Sequence, residues 1–335
     1  MKIVVFGPAR RVGALDGDQV VNLTHAYAKY AREHDNEPHP YELAAAIVPP
    51  DLAAFIEGGR RTLDAAYATL DHLKQSGPIG LNGGKLVQPV VDVKLHGPKP
   101  RGSRIACAGG NYAEHSAGMA RNRGEEVSME HFHEEIRKRG MWGFWKLNRD
   151  AVGPEGEIMY PARTQRFDYE GEAAIILGKQ GKDISASKGK EYVWGVTLLV
   201  DWSIRDGNER PATVSFSFGK NFDGSVSMGP CIVVDELDPE NVDVQTVING
   251  EVRQNYNTKT MVYSYWEYLE YVSRDLTLYP GDIISGGTAA GTAMDSSKRN
   301  ADGTIPPDRF LKVGDVVEVS SPQIGTLRSR IVAKA

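Results

Sequence analysis

Residues 167–178 read FDYEGEAAIILG: three acidic residues spaced by two, running into an uninterrupted apolar stretch closed by glycine. In an extended chain, side chains two apart point to the same face. Asp168, Glu170 and Glu172 therefore line one side of one strand, and Phe167, Tyr169 and Gly171 take the other. The continuation, Ala173–Leu177, has no polar face and reads as interior. Three carboxylates beside a core repel one another and lose hydration, so they need a compensating cation. A strand with one solvated acidic face is the plainer alternative.

Further short apolar runs surround this one: RIACAGG, WGVTLLV, CIVV and DIISGG, each closed by glycine or an acidic residue. They do not alternate with helices as in a doubly wound sheet. The closing stretch RFLKVGDVVEVSSPQIGTLRSRIVAK alternates like a hairpin, and helical spacing is confined to 112–139, with interruptions, and to 263–273. The fold class expected for this part is α+β, mostly β. Upstream, Asp16-Gly17-Asp18 between two short β-prone runs signals a hairpin. Residues 41–75 hold two helical patterns separated by Pro49-Pro50. Prolines 98 and 100 flank a change of character. The chain is accordingly read as a small N-terminal α+β domain, 1–99, and a catalytic domain, 100–335.

Bulk properties narrow the function. With 335 residues, 41% hydrophobic and 25% charged, the chain can bury a sizeable core. A net charge of −5 and scattered basic residues argue against nucleic acid and anionic membrane as partners. The short run Arg137-Lys138-Arg139 follows Glu134 and Glu135 and reads as a solvated helix face. No apolar stretch approaches the roughly 20 residues of a spanning helix. The opening MKIVVFGPARR reads as a first strand, not a secretory segment. Cys107 and Cys231 are far apart and form no CxxC, so a cytoplasmic setting is expected.

Two more stretches join the acidic strand. In GVTLLVDWSIRD, Asp201 ends an apolar strand and Arg205 and Asp206 follow. In FGKNFDGSVSMGP, Lys220 and Asp223 sit among glycines. Oxygen-only donors suit a hard cation: Mg²⁺ first, with Mn²⁺ or Ca²⁺ as alternatives. Histidines at zinc spacing are absent, and His131 and His133 read as exposed. The chain also lacks GxGxxG after a strand, GxxxxGK[ST] and GxSxG.

Taken in order, NYAEH (111–115), DYEGE (168–172), VDWSIRD (200–206), GKNFDGSVSMGP (219–230), NGEVRQNYNT (249–258), YLEYVS (268–273) and PGDIISGGTAAG (280–291) resemble the fumarylacetoacetate hydrolase family over roughly residues 100–335. The resemblance implies a mixed β-roll catalytic domain and a homodimer. It implies a divalent metal held by Glu170, Glu172 and Asp201, with Asp168 reduced to a structural neighbour. It places Lys220 near the substrate's enolate or carboxylate oxygen, Arg205 as a group steadying the site, Thr288 on a substrate carboxylate, and Lys146 in a further substrate-binding role. His115 matches the general base. The implied substrate is a small 2-oxo acid whose enolate the metal stabilises.

The pattern breaks at one point. Relatives that hydrolyse C–C bonds carry a glutamate three residues after the histidine, forming a water-activating dyad, and here that residue is Gly118. Glu114, next in sequence to His115, faces elsewhere on a helix. Acidic residues in 125–135 are candidates to replace the missing carboxylate, in an insertion that also carries Trp142, Phe144 and Trp145. Asn208 stands where relatives often have glutamine, and Gly286 and Ala289 replace threonine and proline of a TGTP-like loop. The first reading is a metal-dependent hydrolase acting on a C–C bond in a β-diketo or 2-oxo acid. The alternative is an isomerase, decarboxylase or (de)hydratase of a 2-oxo acid such as a 2-keto-3-deoxy sugar acid. A non-enzymatic scaffold ranks last, because the metal set is intact.

Overall fold

The Asp-Gly hairpin signal is realised in β1 (Lys2–Phe6), β2 (Arg11–Asp16) and β3 (Gln19–Asn22), an antiparallel meander in which Gly17 takes φ +60° at the tight turn. The computed structural model describes residues 1–206 and 216–334. After β3 comes a helix with no counterpart in the sequence reading, α1 (Leu23–Asp35), capped by the Asn22 side chain, which accepts from the His25 N–H at 3.3 Å. Its buried side is largely small, with Ala26, Ala28 and Ala31, so its stripe is faint in sequence. Of the two helices expected next, the first is α2 (Pro40–Ile47). The second is split into α3 (Leu52–Glu57) and α4 (Gly59–Ser76), with Gly59 at φ +57° where the backbone leaves the helical region. Short strands β4 (Val87–Pro89) and β5 (Leu95–His96) return to pair with β3 and β1.

The chain continues through β6 (Ile105–Gly109), α5 (Ala113–Asn122), α6 (Phe132–Arg139) and β7 (Trp142–Lys146). It goes on through β8 (Gly156–Met159), β9 (Phe167–Asp168), β10 (Gly171–Leu177), β11 (Val193–Asp201), β12 (Ser203–Ile204), α7 (Phe216–Lys220) and β13 (Val226–Val234). The last elements are β14 (Asp243–Ile248), β15 (Glu251–Asn257), α8 (Tyr265–Ser273), β16 (Ile283–Ser285), α9 (Ala293–Ser296), β17 (Val316–Ser321) and β18 (Gly325–Val332).

The larger sheet runs β4-β3-β2-β1-β13-β11-β10-β16-β6-β7, and the smaller runs β15-β14-β17-β18-β8. Pairing is mostly antiparallel, with β6–β16 and β8–β18 parallel. Sheets dominate and neither closes into a barrel, in keeping with the expected α+β, mostly β class. The two sheets bury one core between them, which includes Ile175, Leu198, Val317 and Leu327. On the opposite face of the large sheet, Ile176 and Leu199 pack with Leu23, Phe55 and Leu63 of α1, α3 and α4. Both faces of β10 are thus covered, which explains the uninterrupted apolar run at 173–177. The hydrogen-bonded ladder also crosses residue 99, because β1 pairs with β13 through Lys2↔Val233 and Ile3↔Ile232.

Candidate active site

Residues 167–178 form two strands, not one. β9 pairs with β12, the chain breaks at Tyr169–Glu170, and β10 pairs with β11. Register then assembles the acidic cluster. Gly171 stands opposite Val200, and the Asp201 N–H donates to the Glu170 carbonyl at 2.9 Å. Glu170 therefore lies across from Asp201, with Glu172 two residues along on the same side. One carboxylate oxygen from each of the three lies within 4.8 Å of the others, all buried. Gly171 has to be glycine, since a Cβ there would come within 2.2 Å of Thr246 Oγ1 on the smaller sheet.

Cations surround the cluster. The Arg205 guanidinium spans Asp168 Oδ2, at 2.8 Å, and Glu170 Oε1. The Lys220 ammonium donates to Glu170 Oε2, to Asp201 Oδ2 at 2.6 Å and to the Ser203 hydroxyl at 2.6 Å. Lys146 reaches Asp201 Oδ1 at 2.5 Å and the Ser225 carbonyl at 2.6 Å. Burial pushes the Glu170 carboxyl up, but Arg205 and Lys220 outweigh it and hold the group well below its ordinary value. Glu172 goes the other way: burial, then Asp201 and Glu170, drive it well above the ordinary carboxylate range. Among the described residues its carboxylate meets only the Ser285 hydroxyl. A divalent cation fits this set, because it would neutralise the one buried carboxylate that has no basic partner and the donors are all oxygens.

A cavity of about 370 Å³ opens on the cluster, and His115, Glu170, Glu172, Arg205, Lys220 and Thr288 line it. Six of the eight residues singled out in sequence thus share one cavity. Asp201 and Lys146 lie behind it, fully buried. Lys146 holds the Asp201 carboxylate and does not line the cavity. Thr288 donates its hydroxyl to the Gly171 carbonyl at 2.9 Å and accepts from Gln254 at 2.8 Å. Asp168 points away from the cluster and accepts the Ala293 and Met294 N–H groups at 2.7 and 3.1 Å, anchoring the start of α9.

The insertion contributes Trp142 and Phe144 to the cavity wall, and Trp145 packs under the Arg104 guanidinium at 5.7 Å. The 137–139 run is not a plain solvated face: Arg139 lines the cavity, and Arg137 donates to Glu267 at 3.0 Å. Of the acidic residues of 125–135, Glu125 and Glu135 are engaged by neighbouring arginines and not by His115. Glu125 pairs with Arg123 and Glu135 with Arg139. Instead, His115 Nδ1 meets Asp295 Oδ2 at 2.5 Å, a residue that sequence reasoning missed. It lies 180 residues away along the chain, and the only trace of it at residue 118 was the glycine itself. Gly286 has a comparable reason, since a Cβ there would come within 3.0 Å of the Tyr265 ring and Met261 Sδ. Asn208 falls outside the described residues.

The model of the family described as "Fumarylacetoacetate (FAA) hydrolase C-terminal" matches residues 104–332. The chain belongs to the fumarylacetoacetate hydrolase family. It is 31% identical over 322 residues to the Bacillus subtilis protein named oxaloacetate tautomerase YisK, covering 95% of this chain and 94% of that one. It is 30% identical over 288 residues to human oxaloacetate tautomerase FAHD2A, mitochondrial, covering 85% and 81%. Among solved structures, fumarylacetoacetate hydrolase from Exiguobacterium antarcticum matches across the whole of both chains with a TM-score of 0.69 at 27% identity. No described helix of this family member is long and apolar enough to cross a membrane.

Proposed function

We propose that this member of the fumarylacetoacetate hydrolase family moves a proton on a small 2-oxo acid, interconverting its keto and enol forms, with oxaloacetate as the first substrate to test. The observation that carries this reading is the pairing, in one cavity, of a carboxylate-held imidazole with the three-carboxylate cluster. Glu170, Glu172 and Asp201 would hold the metal, Mg²⁺ by the hardness of the donors. When bound, the ion supplies Lewis-acid stabilisation of negative charge on the 2-oxo oxygen. Arg205, Lys220 and Lys146 fix the directions of the ligand carboxylates. Lys220, on the cavity wall, adds positive charge beside the substrate oxygen. Thr288, on the cavity wall, would hold a substrate carboxylate by turning its hydroxyl away from the Gly171 carbonyl. His115 takes the proton from C3, and the imidazolium or solvent water protonates the enolate oxygen to give the enol; in the reverse direction the hydroxyl proton leaves and His115 returns a proton to C3. The tautomerase names of the two relatives support the same outcome.

A second reading, hydrolysis of a C–C bond in a β-diketo acid, is favoured by the same His115–Asp295 pair, since a carboxylate-backed imidazole also activates water. A reducing compartment such as the cytoplasm suits the two buried free cysteines. A homodimer belongs to this reading as well.

Purified protein with Mg²⁺ is mixed with enol-oxaloacetate and, separately, with acylpyruvates; enol absorbance and product masses are followed. Faster enol loss at unchanged mass, abolished by chelation and in Glu170→Gln together with metal retention, is the expected result. Pyruvate plus a second acid from an acylpyruvate would establish the hydrolase instead. Inertness toward both classes would overturn the substrate assignment.

A further inference from the structure

Residues three apart on a helix share a face, so a carboxylate at residue 118 would reach the His115 ring from within α5. That space is already filled. A Cβ on Gly118 would lie 2.8 Å from Asp295 Cβ and 2.8 Å from the Asp295 carbonyl oxygen. Asp295 enters from α9, a different element, and its position is fixed several times over. Thr292 caps α9, its hydroxyl accepting the Asp295 N–H at 3.2 Å. The Gly291 N–H donates to Asp295 Oδ1 at 2.9 Å. Asn122, at the end of α5, donates its side-chain amide to the Met294 carbonyl. Asp168 accepts the first two N–H groups of α9 and also the Arg205 guanidinium, which runs on to Glu170.

We infer that Asp295 is the positioning carboxylate of His115, supplied from α9 in place of a residue at 118, and that Gly118 is glycine to admit it. The two side chains are 9% and 3% exposed, so water does not compete for the bond. A carboxylate only accepts. With Oδ1 taken by Gly291, Oδ2 receives the proton of Nδ1, and the neutral ring keeps its lone pair on Nε2. The base thereby hangs on the same short segment that follows Thr288, and Asp168 and Arg205 tie that segment to the acidic cluster. The catalytic consequence rests on the proton-transfer reading above. The structural claim does not, because the tautomer is measurable without substrate.

Asp295→Asn tests it. The Gly291 N–H selects the amide oxygen, which turns the amide NH₂ toward His115 Nδ1. Nδ1 must then accept, and the proton moves to Nε2, the wrong nitrogen for a base. In the ¹⁵N spectrum of the full-length protein, His115 changes from the Nδ1–H to the Nε2–H pattern. With turnover as the second readout, kcat falls by about 10²–10⁴-fold, the range general-base catalysis contributes, while KM stays within about twofold. A conservative replacement supplies the other arm. Asp295→Glu keeps a carboxylate on α9 and is expected to retain the Nδ1–H pattern and to exceed Asp295→Asn by at least about tenfold in kcat, since tenfold is only about 1.4 kcal/mol of barrier. An unchanged ¹⁵N pattern in Asp295→Asn overturns the positioning role, whatever the substrate proves to be. A changed pattern with no effect on turnover would keep the pair and overturn its link to the chemistry.

Discussion

Arg205 stands between two buried carboxylates, Asp168 and Glu170, and its guanidinium bonds to both. Burial works against the guanidinium, while Glu170 and Asp168 more than offset this and hold it above its ordinary value. Removing one member of such a buried network leaves an uncompensated charge, at a cost of about 3–5 kcal/mol. Arg205→Met is therefore expected to lower unfolding free energy by that amount, and Arg205→Lys by less. Lysine keeps the charge but lacks the planar fork that reaches both partners. Urea unfolding with an unchanged slope measures both; a loss below about 1 kcal/mol in Arg205→Met would contradict the geometry. At this scale most of the site could be read from sequence, for a local reason. Glu170 and Glu172 follow from period-two alternation, Asp201 from the end of an apolar strand, and Arg205 and Lys220 from family motifs a few residues long. Asp295 could not be read, because its role depends on a contact between two helices that no local spacing encodes.

Between elements, the joint of α6 and α8 shows what a short motif contributes. Ser264 and Glu267 form a capping box on α8, each side chain bonded to the other's backbone N–H. Glu267 also receives Arg137 from α6. Ser264→Ala is expected to cost about 1 kcal/mol at neutral pH, read from the urea midpoint. Partial burial raises the Glu267 carboxyl, but the bonds from Arg137 and Ser264 outweigh it, leaving it below the ordinary 4.5. A folded value that is depressed gives stability present above the unfolded value and lost as pH falls through the folded one. Hydrogen-exchange protection over residues 132–139 should accordingly decline as pH drops below about 4.5, and the decline should vanish in Glu267→Gln. A decline of equal size in that variant would assign the acid sensitivity elsewhere. The helix at 263–273 was visible because its apolar residues recur at helical spacing. The same test missed α1, whose buried face mixes three alanines with Thr24 and Lys29 and so carries a faint apolar stripe, and it joined β9 to β10, because a break at Tyr169–Glu170 leaves the alternation of side chains intact.

Across the whole molecule, composition and proline placement mark residue 99, whereas the sheet continues through it. We propose that 1–99 and 100–335 are two sequence units that fold as one cooperative body. β1 covers the edge of β13, and α1, α3 and α4 cover the face that carries Ile176, Leu199, Ile232 and Val234. A fragment starting at residue 100 would present that apolar face to water together with a bare strand edge, a combination that promotes association between chains. The full chain should therefore melt in a single calorimetric transition, with residues 100–335 alone aggregating or failing to unfold cooperatively. Co-expression of 1–99 should return the fragment to solution, because the missing strand and helices carry their own complementary surface. A monomeric, cooperatively unfolding 100–335 fragment would instead make the first hundred residues an independent attachment, and the ladder between β1 and β13 a contact between two separately stable domains.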